Sequence, residues 1–240
     1  MIAACNRAFL GQAACRRKGA GMKAVVFDLD GTLADTSGDL LAAANVCFRD
    51  MGLGDVLGPG DAGVALRGGK RMLQTGLKRV GQYDDATVER YYPRLLEAYG
   101  AAIDHHTVMF DGAMDAVAAL RSAGYAVGIC TNKPEALAEK LLTSLGVRDA
   151  FGALVGADTL PVRKPDPAPY IETVNRLGAD PAQSLLVGDS DTDRKTAANA
   201  GVPCILVTFG PSSEDMAALN PAALMGENAE RLTITRRLIG

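Results

Sequence analysis

Two aspartates one residue apart, Asp28 and Asp30, follow the apolar run Ala24–Phe27 and lead into Gly31. Carboxylates that close repel each other unless a cation stands between them. Other apolar runs end in groups of the same kind. Thr131, Asn132 and Lys133 follow Tyr125–Cys130, and Lys164 in "RKPDP" follows Ala153–Val155. Asp189 and Asp193 in "GDSDTD" follow Leu185–Val187. Carboxylates, a hydroxyl, an amide and an ammonium together suit a hard divalent cation and an anionic oxygen group. Mg²⁺ fits best, because it takes oxygen ligands and is held by one or two carboxylates plus substrate phosphate. Asp28 and Asp189 can supply two of those oxygens and a backbone carbonyl a third. No His–Cys cluster offers a softer metal a home.

These groups need a scaffold that gathers them. The runs Ala24–Phe27, Tyr125–Cys130, Ala153–Val155, Leu185–Val187 and Cys204–Val207 are short, continuous and bounded by turn residues. Such runs read as parallel strands buried on both faces. Amphipathic helices fit between them: Ala113, Met114, Val117 and Leu120 form one apolar stripe, and Leu137, Leu141, Leu142 and Leu145 another. Pro134 and Pro167 suit first helical turns. The pattern predicts a doubly wound α/β sheet with right-handed crossovers. In such sheets ligands bind beyond the carboxyl ends of the strands, where the polar groups above fall.

One segment breaks the rhythm. Residues 37–104 contain no convincing strand. Helical patterns run near Asp39–Asp50, Gly69–Val80 and Asp85–Tyr99, with a Gly/Pro-rich link at Gly52–Gly63. This predicts a helical cap at 37–104, inserted into a core of 22–36 and 105–240. Its hinges lie near Asp35–Gly38 and Asp104–Phe110. Within it, "RGGKRM" opens a helix that favours anions, so Arg67 could bind an anionic group of a ligand. After Gly210 the pattern predicts a loop and a closing helix without chemistry.

The bulk numbers narrow the function. A net charge of −3 gives no basic field for nucleic acid or an anionic membrane. With 48% apolar residues in 240, a sizeable core is expected, and no run is long enough to span a membrane. Five scattered cysteines without a C-x-x-C pair fit a reducing cytoplasm. A monomer or homodimer is expected, a choice that the sequence does not set. Residues 1–21 carry Arg7, Arg16, Arg17 and Lys18 and no acid. They read as an extension outside the fold, with Met22 the natural start.

The set "DLDGT" (Asp28–Thr32), "TN" (Thr131–Asn132), Lys164 and "GDSDTD" (Gly188–Asp193), in that order and each at a strand end, resembles the haloacid dehalogenase superfamily of phosphohydrolases. The resemblance runs from Met22 to about Val207. "TNKP", "LPVRKPDPAPY" and "LLVGDS" are most similar to bacterial phosphoglycolate phosphatases. The resemblance implies a Rossmann-like core with an α-helical cap, and a Mg²⁺-dependent phosphatase of a small phosphorylated metabolite. It implies Asp28 as nucleophile and Asp30 as general acid and base, with the Asp30 carbonyl on the metal. Thr131, Asn132 and Lys164 would bind the phosphoryl oxygens, and Asp189 the metal. Asp193 would reach the metal through water or orient Lys164.

Blander readings stand beside these. Asp35, Asp39, Asp166 and Asp191 read as turn or capping residues, and Thr36 and Ser37 as caps. His105 and His106 read as a surface pair. A capped phosphomutase and a pyrophosphatase of the same family share the motifs. A non-catalytic phosphometabolite sensor would not need Asp30.

Overall fold

Residues 21–211 and 215–240 are described in the structure, a computed structural model of the chain. The basic segment 1–20 lies outside the described residues. In chain order, β1 (Ala24–Phe27) and β2 (Ala34–Asp35) lead into helices α1 (Ser37–Asp50), α2 (Ala62–Ala65), α3 (Gly69–Arg79) and α4 (Asp85–Ala101). There follow β3 (Val108–Met109), α5 (Ala113–Ser122), β4 (Ala126–Cys130), α6 (Glu135–Ser144), β5 (Ala153–Val155) and α7 (Ala168–Arg176). The chain ends with β6 (Ser184–Gly188), α8 (Asp191–Ala200), β7 (Cys204–Val207), β8 (Ala223–Met225) and α9 (Arg231–Ile239).

Six strands form one parallel sheet in the order β5-β4-β1-β6-β7-β8. Their side chains alternate between two cores, as the two-residue period requires. Val25, Phe27, Ile129, Leu185, Val187 and Ile205 pack with residues of α5, α6 and α9 on one face. Ala24, Val26, Cys130, Leu186 and Leu206 pack with Tyr170, Val174 and Ala197 of α7 and α8 on the other. Each fully buried aliphatic side chain stabilises the fold by roughly 1.5–3 kcal/mol, so the inner strands are held firmly in register. The chain order reverses about β1, between β4 and β6. That places the β1 carboxyl end at the crevice where open α/β sheets bind ligands.

The expected helical insertion is present. Helices α1, α3 and α4 pack on one another, and Phe48, Met72, Leu73, Leu77 and Leu95 extend the core between them. A short fourth helix, α2, and a 3-10 turn at Pro59–Asp61 occupy part of the segment read as a link. Where the chain leaves and re-enters the sheet, β2 and β3 pair antiparallel, with Ala34 opposite Met109 and Asp35 opposite Val108. Asp39 strengthens that junction. It is buried and accepts from His106 N at 3.0 Å, Thr107 N at 2.9 Å and Thr107 Oγ1 at 2.8 Å. A turn or capping role for Asp39 is therefore wrong: its carboxylate ties the two crossings together. Asp35 and Asp166 do serve local turns, accepting from Ser37 N and Ala168 N.

Two further differences concern element ends. Pro134 and Pro167 stand just before α6 and α7, at the cap positions rather than inside the first turn. The tail contributes β8 as a sixth strand in addition to the closing helix. Among the described residues, no helix is long and apolar enough to cross a membrane. Cys47, Cys130 and Cys204 are buried free thiols.

Candidate active site

Asp28 stands one residue past β1, and its N–H extends the ladder by donating to Val187 O at 2.9 Å. One carboxylate oxygen accepts from Leu29 N at 2.7 Å; the other lies 3.0 Å from Lys164 Nζ. Lys164 comes from the loop beyond β5, and Asn132 holds that loop by donating from Nδ2 to Lys164 O at 3.0 Å. The ammonium also lies 2.7 Å from Asp193 Oδ1. The Lys164 side chain is only 1% exposed and that of Asp193 0%, so each charge depends on the other for its stability.

The start of α8 explains the placement of Asp193. Ser190 caps the helix, accepting from Asp193 N at 3.4 Å, and its hydroxyl donates back to Asp193 Oδ2 at 2.6 Å. Asp189 N also donates to Asp193 Oδ2, at 3.3 Å. Asp193 thus satisfies donors at a helix start, where negative charge is favoured, and aims its other oxygen at Lys164. Gly188 permits this approach, because a Cβ there would lie 2.3 Å from Asp193 Cγ.

Asp189, at the end of β6, is buried and accepts from Thr32 Oγ1 at 3.0 Å. Gly31 makes room for it: its φ is +82°, and a Cβ would sit 2.3 Å from Asp189 Oδ2. One oxygen each of Asp28, Asp189 and Asp193 lie within 4.8 Å of one another. Burial, reinforced by Asp193 and Asp28, pushes the Asp189 carboxyl well above its ordinary range. Burial also pushes Asp28 up to about 6, against the pull of Lys164. Burial opposes the Lys164 charge as well, but Asp193 and Asp28 outweigh it and raise its pKa. One ammonium among three carboxylates leaves negative charge uncompensated. An all-oxygen donor set of this size and charge fits a hard divalent cation.

Asp30 faces the same cavity from two residues further on. Lys133 Nζ lies 2.7 and 3.0 Å from its two oxygens, and Thr36 Oγ1 donates to Oδ1 at 2.7 Å. Thr36 is therefore not a side-chain cap of α1, which receives no such bond. Lys133 is the residue that the sequence left without a role. Its position directly after Thr131–Asn132 was the available signal. Its own N–H donates to Thr131 Oγ1 at 3.2 Å, which fixes the turn that sends the side chain inward.

A cavity of about 610 Å³ lies over these groups. Asp28, Asp30, Thr131, Asn132, Lys133 and Lys164 line its floor. Arg67, Gly68, Lys70, Tyr92 and Tyr99 of the helical segment line it as well. The structure thus brings Asp28, Asp30, Lys164, Asp189 and Asp193 together, with Thr131 and Asn132 at the same rim. Arg67 lines the same cavity. His105 and His106 are not among its lining residues.

A parallel sheet with two carboxylates directly past a strand at its switch point, and a helical insertion after that strand, suits a hydrolase that binds its ligand at the strand ends. The family description "haloacid dehalogenase-like hydrolase" matches residues 22–201, and the chain belongs to that family. It is similar to the phosphoglycolate phosphatase of Rhodospirillum rubrum, 37% identical over 216 residues that span 86% of this chain and 88% of that protein. The phosphoglycolate phosphatase of Mesorhizobium japonicum is 36% identical, over 90% of this chain and 96% of its own. Among solved structures, a predicted phosphoglycolate phosphatase from Haemophilus somnus superposes with a TM-score of 0.79 at 26% identity, covering 89% of this chain and 98% of that one. A haloacid dehalogenase-like family protein from Streptococcus pneumoniae shares the fold, with a TM-score of 0.75 at 20% identity over 88% of this chain and 97% of that one.

Proposed function

We propose that this hydrolase is a Mg²⁺-dependent phosphatase that cleaves a small phosphate monoester through an aspartyl-phosphate on Asp28, with 2-phosphoglycolate the first candidate. One observation carries the reading: Asp28 touches the Lys164 ammonium and is clustered with the carboxylates of Asp189 and Asp193, with Asp30 held two residues away at the same cavity. The relatives' activity supports the choice of ester. Residues 37–104 act as the cap over a core of 22–36 and 105–240, and the buried free thiols support a cytoplasmic setting.

The residues divide the work as follows. An Asp28 oxygen attacks phosphorus, and the bond from phosphorus to the ester oxygen breaks. Asp30 gives its proton to the departing alkoxide, then takes one from the water whose oxygen attacks the aspartyl-phosphate. That second attack releases phosphate and restores the Asp28 carboxylate. Lys164, Thr131 and Asn132 meet the non-bridging oxygens, where charge must be stabilised during transfer. Asp28, Asp189 and the Asp30 carbonyl would hold the Mg²⁺, with Asp193 orienting Lys164 beside them. When bound, the ion supplies positive charge to the phosphoryl oxygens. Arg67 meets the far end of the substrate, and the helical segment keeps bulk water out.

A panel of phosphate esters assayed with Mg²⁺ tests the reading. The expected result is the highest kcat/KM for 2-phosphoglycolate among small esters. Conversion of a sugar phosphate through a bisphosphate would replace the phosphatase by a mutase. Binding without phosphate release from any ester would leave only a sensor.

Asp30→Asn should lower kcat by about 10²-fold or more, the usual cost of losing a positioned acid–base group. Inhibition by inorganic phosphate should stay close to that of the unmodified enzyme, since Lys164 and Asp28 are untouched. An Asn variant with unchanged kcat would remove Asp30 from the chemistry.

A further inference from the structure

Lys133 touches two different parts of the molecule. Its ammonium pairs with both oxygens of Asp30, at 2.7 and 3.0 Å, and it also lies 4.4 Å from the centroid of the Tyr99 ring. Asp30 and Lys133 belong to the sheet's rim; Tyr99 belongs to α4 in the helical segment. The Lys133 side chain is 3% exposed, and Tyr99 is 1% exposed. A desolvated ammonium over an aromatic face is held considerably more firmly than one in water.

The end of α4 that carries Tyr99 is fixed to the helix that follows Lys133. Lys140 Nζ donates to Gly100 O at 2.5 Å, and Ser144 Oγ bonds the Asp104 carboxylate. Both partners sit on α6, which begins two residues after Lys133. Gly100 packs so closely there that a Cβ would lie 3.2 Å from Leu137 Cδ2. Ring and ammonium are thus set against each other by two helices bonded directly together.

The Tyr99 hydroxyl is buried and has no hydrogen-bond partner among the described residues. A buried hydroxyl left unpaired costs free energy, so this group does not explain the residue's placement. The face of the ring does, because it closes the side of Lys133 that Asp30 leaves open.

We propose that Tyr99 is a positioning residue: its ring holds the Lys133 ammonium against Asp30, so that the docked helix α4 sets the geometry of the proton-transfer carboxyl. This rests on the assignment of Asp30 as acid and base under the proposed function. Without the ring, Lys133 gains water and rotamer freedom, and Asp30 loses a fixed donor to both of its oxygens. Thr36 alone then holds it.

The test compares two leaving groups. An alkoxide needs the Asp30 proton to depart, whereas p-nitrophenolate departs unaided. Tyr99→Leu should therefore lower kcat/KM for an alkyl ester, 2-phosphoglycolate or β-glycerophosphate, by about 10-fold or more, while p-nitrophenyl phosphate changes by no more than about 2-fold. Tyr99→Phe keeps the ring and should stay within about 2-fold on both esters. Tyr99→Met fills most of the volume without an aromatic face and should behave like Leu, so a folding defect of one variant does not decide the result. In a Lys133→Met background, Tyr99→Leu should add little, because the two act as a unit.

Equal losses on alkyl and aryl esters would reduce Tyr99 to a packing residue. A Phe variant as impaired as Leu would move the role to the hydroxyl and overturn the proposal. Wild-type rates in both Leu and Met would also overturn it, with the phosphatase assignment intact. If the unmodified enzyme cleaves none of these esters, the assignment and this inference fall together.

Discussion

Asp28→Asn should leave a folded protein with essentially no turnover, its kcat lowered by at least about 10³-fold, as when a covalent catalyst loses its nucleophile. The carboxamide keeps the size of the side chain and an oxygen acceptor for Leu29 N, now 2.7 Å away. It lacks the negative charge that lets an oxygen attack phosphorus. An acid-quenched reaction with labelled ester checks the chemistry directly: the unmodified enzyme should retain the label, and the Asn variant should not. Stability should move the other way. Burial pushes Asp28 up to about 6, so its ionised form is disfavoured in the cation-free protein. Asn removes one of three neighbouring carboxylate charges, while Lys164 keeps Asp193 at 2.7 Å. In chelator, the Asn variant should melt at or above the unmodified protein. Turnover at the normal rate, or label retained on the variant, would remove Asp28 as nucleophile.

The sequence made the catalytic rim readable because each of its parts is local. A continuous apolar run marks a buried strand, and the first polar residues after it mark the strand's carboxyl end. Asp28, Thr131 and Asp189 were found this way, and Lys164 lies in the loop after such a run. The pairings that hold the rim together were not readable. Lys133 reaches Asp30 across 103 residues, and Asp39 reaches Thr107 across 68. A residue's type and neighbours cannot say what it meets at that separation. Thr36 has the composition of a cap, yet its hydroxyl goes to Asp30 because the hinge passes beneath that carboxylate. The missed strands have another cause. β2 and β3 have two residues each, and β8 has three at a half-exposed edge. None is long enough to show a period. Short edge strands also resist pairing with other chains, so what hides β8 in the sequence protects the sheet. Tyr99 is the plainest case. It belongs to a helix whose existence was legible, but the ring's neighbour comes from the sheet's rim.

Removal of divalent cations should abolish turnover, and restoring Mg²⁺ should recover it, because the site's carboxylates cannot admit a phosphate dianion while uncompensated. At the reduced dielectric of a cleft, each added like charge costs on the order of several kcal/mol. The same imbalance predicts a melting-temperature signature that does not depend on activity. Without the ion, Asp28 is raised from 3.8 to about 6, and Asp189 is raised well above 3.8. A carboxyl whose folded pKa is raised leaves stability intact while protonated in both states, and reduces it as pH climbs through the folded value. The cation-free protein should therefore lose stability between about pH 4 and about pH 6 on account of Asp28, and Asp189 acts in the same direction. Mg²⁺ binds the ionised carboxylates, so its stabilising effect should be small near about pH 4.5 and large near about pH 7.5. Thermal melts with Mg²⁺ or chelator at both values read this difference. An equal Mg²⁺ increment at the two pH values, or undiminished ester hydrolysis in chelator, would mean that Asp28 and Asp189 are not the pair that holds the ion.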